Sequence, residues 1–108
     1  MRFDDVVRSA LDGLPPPIAA GLRNVAVVVE EENADDPDLY GLFEGVPLTE
    51  GGPVAGDLPS RIAIYRRPLE ADFPDADELR EEIRVTVLHE LGHYFGLDEE
   101  RLGELGYE

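Results

Sequence analysis

The sequence predicts a single α+β domain spanning residues 1–108, with a small β-sheet packed against an N-terminal helix and a long C-terminal helix. Three observations predict it. Apolar residues recur at helical spacing near both ends of the chain. Between them lie short β-branched runs bounded by glycine and proline. The 108 residues, 43% of them hydrophobic, suit one modest core and argue against disorder.

Phe3, Val6, Val7, Ala10, Leu11 and Leu14 form the first helical stripe. That helix should end near Gly13 and Pro15-Pro16-Pro17, and cover a sheet. Asn24 to Glu30 is almost wholly apolar and reads as a strand buried on both faces. Leu39 to Glu44 reads as a shorter strand ending at Gly45-Val46-Pro47. Thr49 to Ser60 is a long connection rich in glycine and proline. Arg61 to Arg67 alternates weakly and stops at Pro68, which suits an edge strand guarded by charge and proline. Such an edge can pair with an extended peptide. A last short helix is expected over Glu99 to Leu105.

The C-terminal helix carries the strongest signals. Asp75 followed by Glu78 resembles a capping box after Pro74, and acidic residues suit the positive end of the helix. Leu79, Ile83, Val87, Leu88, Leu91, Tyr94 and Phe95 make an apolar arc. Gly96 fits a left-handed C-terminal position. His89 and His93, the only two histidines, fall outside the arc with Glu82 and Thr86 near them. Four residues apart on a helix, they can aim at one point, as zinc requires of two ligands.

The stretch reads HExxHxxGxxE from His89 to Glu99, the motif of zinc metallopeptidases. A metal site with Zn2+ is the cofactor this pattern implies. Glu99 is the expected third ligand, with Asp98 the competing choice. Three protein ligands leave room for a water, the mark of a catalytic site. Glu90 can then act as general base toward that water and pass the proton to a leaving amine. Tyr65, Tyr94 and Tyr107 are candidate oxyanion donors. Glu82 could lie behind the ligands, or simply be solvated.

Composition narrows the partners. A formal net charge of −16 would repel nucleic acid and anionic membrane surfaces. A peptide or protein substrate is the expected partner; the oligomeric state is not legible. No cysteine means no disulfide and no thiolate metal site. The first residues lack a signal-peptide core and the longest apolar run is too short to span a membrane, so a cytoplasmic protein is expected.

Arg84 to Leu97 resembles the small bacterial zincin-like metallopeptidases. Asn24 to Val29, Leu42 to Leu48, Arg61 to Leu69, Arg101-Leu102 and Leu105 to Tyr107 match the same family, so the resemblance covers almost the whole chain. It implies a minimal zincin fold: a small mixed sheet, an active-site helix and little else. It also implies a carboxylate ligand at Glu99, where members usually have aspartate. Metzincins have histidine there, and their later methionine turn has no counterpart here, where Met1 is the only methionine. The expected function is zinc-dependent hydrolysis of peptide bonds. The alternative is a zincin scaffold that binds metal or a partner without turnover, since 108 residues leave little material for cleft walls.

Overall fold

Three strands and three helices make up the described part of a computed structural model, which covers residues 2–14, 16, 19, 25–46, 60–96, 100 and 104. In chain order they are α1 (Phe3–Asp12), β1 (Val25–Glu30), β2 (Gly41–Glu44), β3 (Ser60–Tyr65), α2 (Arg66–Asp72) and α3 (Ala76–Tyr94). The sheet order is β1-β3-β2. β1 runs parallel to β3 with Val27 opposite Ile62. β2 runs antiparallel to β3 with Phe43 opposite Ile62. The expected α+β arrangement with a small mixed sheet and a helix toward each end is therefore what the chain adopts.

The strand roles are exchanged relative to expectation. β3, read from the sequence as an edge, is the middle strand, and it is buried along nearly its whole length. β1, read as buried on both faces, lies at the edge among the described residues and is only half-buried. β3 takes the middle because Ile62, Ala63, Ile64 and Tyr65 are all buried, and Arg61 does not mark an edge because its side chain stays partly in solvent. Arg61 looked like an edge guard, but it reaches Glu30 of β1 at 2.8 Å and Glu44 of β2 at 3.5 Å. A middle strand can carry that charge because the side chain reaches solvent and each neighbour brings a carboxylate to it.

The chain also enters a helix where a strand was expected to continue. Arg66–Asp72 is α2, seven residues long. Pro68 does not stop a strand; it sits in the first turn of α2, where its missing N–H removes no helical bond. Arg67 N–H donates to the Glu31 carbonyl instead of a strand partner. Arg66 pairs with both Glu31 and Glu70, which fixes the strand-to-helix turn.

One core joins these elements. Phe3, Val6 and Val7 of α1 meet Ile62 and Ile64 of β3, Leu69 of α2, and Leu79, Ile83, Val87 and Leu91 of α3. Ile62, Ile64, Leu69, Ile83 and Val87 expose nothing. Each contributes about 1.5–3 kcal/mol by leaving water. α1 packs chiefly on α3, so it covers the long helix more than the sheet. Its last turn closes at Gly13, whose N–H donates to the Ser9 carbonyl. No helix among the described residues is long and apolar enough to cross a membrane.

Candidate metal centre

α3 is the rigid platform of the site, and its own sequence builds it. Asp75 caps the helix by accepting from Glu78 N–H at 3.0 Å. Asp77 and Glu78 sit in the first turn and His93 in the last, as the helix dipole favours. Phe95 ends the helix, and Gly96 follows at φ 85°, a conformation that favours glycine. Gly96 N–H donates to the His93 carbonyl at 3.0 Å. The expected left-handed glycine is thus in place one residue past the helix end.

The two histidines converge. Nε2 of His89 and Nε2 of His93 lie 3.1 Å apart, and the rings are 77° from coplanar. At that distance one ring can donate to the other, or both lone pairs can meet one cation. Two nitrogens on a tetrahedral zinc at about 2.05 Å would be about 3.3 Å apart. The observed spacing is close to that value. Glu90 completes the group: ligand atoms of His89, Glu90 and His93 lie within 4.8 Å of one another.

Glu90 is buried, 8% exposed, although a carboxylate normally seeks water. Its position comes from the strand across from it. Gly41 of β2 stands so close to α3 that a Cβ there would meet Thr86 Cγ2 at 3.0 Å, Glu90 Cγ at 3.1 Å and the Ala63 carbonyl at 3.2 Å. The absent side chain lets β2 lie against the helix. A cleft of ≈ 210 Å³ opens beside this contact, lined by Leu39, Tyr40, Gly41, Thr86, His89 and Glu90.

Tyr40 was not legible as a site residue. Nothing periodic marks it, and it precedes a four-residue strand. Its hydroxyl donates to Asp72 at the end of α2. That bond, together with partial burial and the nearby carboxylates of Asp72, Glu82 and Asp38, pushes its pKa up to about 12. The phenol therefore stays protonated at any ordinary pH.

Two of the expected oxyanion donors, Tyr65 and Tyr94, do not line the cleft. Tyr65 is buried in β3 and its hydroxyl accepts from Asn33 Nδ2 at 2.9 Å. Tyr94 is buried with its ring against Phe43 and Phe95. Thr86 does line the cleft and donates to the Glu82 carbonyl at 2.8 Å. Glu99, its competitor Asp98, Tyr107, most of the glycine-rich connection and nearly all of the expected last helix lie outside the described residues.

Residues 22–107 match the protein family described as zincin-like metallopeptidase. No curated protein matches the sequence.

Proposed function

Because the chain belongs to the zincin-like metallopeptidase family, we propose that it is a zinc-dependent peptidase in which Glu90 is the general base. One observation carries the reading: the Glu90 carboxylate and two convergent imidazoles form one tight group beside a cleft. His89 and His93 would hold the metal, with Glu99 proposed as the third ligand and Asp98 as the competing choice. Bound zinc would act as a Lewis acid on the scissile carbonyl and make a water more acidic. Glu90 takes the proton of the attacking water as its oxygen bonds to the carbonyl carbon. As the C–N bond breaks, Glu90 returns that proton to the amine nitrogen. The burial of Glu90 keeps bulk water from competing for that proton.

The substrate we propose is an extended peptide lying along β2. Tyr65 N–H donates to the Tyr40 carbonyl at 2.8 Å, which sets the antiparallel alternation. By that alternation Tyr40, Leu42 and Glu44 bond toward β3, while the N–H and C=O of Gly41 and Phe43 face outward. The peptide-pairing edge expected at Arg61–Arg67 thus moves to β2, which lies at the sheet edge among the described residues. Nucleic acid is not the proposed partner, since a charge of −16 would repel phosphates.

The cleft also favours a second reading. It is smaller than the roughly 300–1,000 Å³ of most ligand sites, which suits a binding module without turnover. Zinc-loaded protein incubated with a peptide library separates the two. Cleavage that a chelator abolishes, and that Glu90→Gln loses while retaining zinc, supports the peptidase. A Glu90→Gln variant as active as the parent would remove Glu90 from the mechanism.

A further inference from the structure

The wall of the cleft opposite α3 is fixed at several points. The Tyr40 hydroxyl donates to Asp72, and its ring packs edge-on to Phe73 with centroids 5.8 Å apart. Its carbonyl is held by Tyr65 N–H. A ring pinned at its tip, its side and its backbone cannot swing aside without breaking several contacts. The same ring lines the cleft that Glu90 and His89 line. A flexible wall adapts to its ligand, whereas a pinned wall discriminates by size.

The volume says what size. An apolar cavity of about 150 Å³ accepts a benzene-sized molecule. A cleft of ≈ 210 Å³ is of the size that takes one branched aliphatic or single-ring side chain. Leu39 and Tyr40 line that space, and its lining is largely apolar. Asp38, Asp72 and Glu82 lie close enough to Tyr40 to raise its pKa, so an acidic side chain would meet repulsion at this end.

We propose that Tyr40 is the specificity-determining wall of this cleft, setting the upper size of one uncharged apolar side chain that a peptide inserts beside Glu90. The proposal rests on the peptidase reading for the identity of the ligand as a peptide. In hydrophobic pockets one misfitting methylene changes selection about 10–200-fold, so residue 40 should have a readable effect.

The test is peptide capture, which needs no turnover. Zinc-loaded Glu90→Gln protein is immobilised and offered a synthetic peptide library randomised at every position. The captured sequences are compared with those held by Glu90→Gln/Tyr40→Ala and Glu90→Gln/Tyr40→Leu. The parent background should enrich one position in leucine-to-phenylalanine-sized residues and deplete aspartate and glutamate. Either smaller residue at position 40 should shift that position at least about tenfold toward tryptophan and other larger side chains. Tyr40→Phe, which keeps the ring and its contact with Phe73, should keep the size limit. Identical profiles with tyrosine and leucine at position 40, or a Tyr40→Phe profile as broad as that of Tyr40→Ala, overturn the proposal. So does capture of no peptide at all. Failure of the peptidase reading is seen separately, as absence of chelator-sensitive cleavage by the parent protein.

Discussion

Nε2 of His89 and Nε2 of His93 stand 3.1 Å apart, one helical turn from each other. The spacing is a property of α3 itself, because residues four apart share a face. A metal bound between them would be held by a pair that already lies close together. His93→Ala removes half of that pair. Changing only the groups behind a ligand costs about 10–100-fold in metal affinity, so losing the ligand itself should cost more than about 100-fold. Elemental analysis of purified protein should give stoichiometric zinc for the parent and almost none for the variant. Full zinc in His93→Ala would place the metal elsewhere.

Gly41 brings the sheet into close contact with the site. Gly41→Ala would set a methyl 3.1 Å from Glu90 Cγ and 3.2 Å from the Ala63 carbonyl. The side chain can yield, but the backbone carbonyl of the middle strand cannot yield cheaply. We expect about 1–3 kcal/mol of destabilisation in urea unfolding. Glu90 would be pushed by a few tenths of an ångström, so the rate of peptide hydrolysis should fall as well. A Gly41→Ala protein as stable and as active as the parent would show that the close approach is dispensable.

The Tyr40–Asp72 tie has a pH signature. The tie holds the Tyr40 proton, raising the pKa from 10.0 to about 12. A native pKa above the unfolded one means that folding binds this proton more tightly. Its contribution is therefore complete below pH 10.0 and is lost as pH rises toward about 12. Spectrophotometric titration of the parent minus Tyr40→Phe should isolate one phenol titrating near 12. Asp72→Ala should bring that phenol back down toward 10. A Tyr40 that titrates near 10 in the folded parent would mean that the tie does not form in solution.

Ser60 opens the middle strand with a hydroxyl that is fully buried and has no hydrogen-bond partner among the described residues. It stands against Gly45, where φ is 148° and a Cβ would collide with Ser60 Oγ. An unpaired buried hydroxyl costs about 1–3 kcal/mol of desolvation. Ser60→Ala removes that cost and leaves the backbone alone, so thermal unfolding should show equal or higher stability, by up to about 1 kcal/mol. A loss of more than 1 kcal/mol would reveal a partner for the hydroxyl.

Much of the site could be read from the chain because its parts are local. The Asp75 cap, the apolar face of α3, the pairing of His89 with His93 and the left-handed Gly96 each depend on residues within a turn or two. Helical periodicity states which side chains share a face, so three site residues could be named without a fold. Glu99 was named by the same spacing, and it falls beyond the described part of the structure.

The sheet was less legible because strand order is not a local property. Val25–Glu30 looked buried on both faces and Arg61 looked like an edge residue, yet the middle position went to β3. Alternation tells which residues share a face but not which neighbours lie on either side. The carboxylates that make Arg61 tolerable in the middle come from Glu30 and Glu44, far away in the chain. Tyr40 and Gly41 were missed for the same cause. The sequence by itself determined a capped helix that turns two imidazoles and a carboxylate toward one point, since a helix fixes those relations through its own backbone. Only the tertiary structure decided what faces them, because a glycine gains its meaning from the chain packed against it and a tyrosine from the helix that pins it.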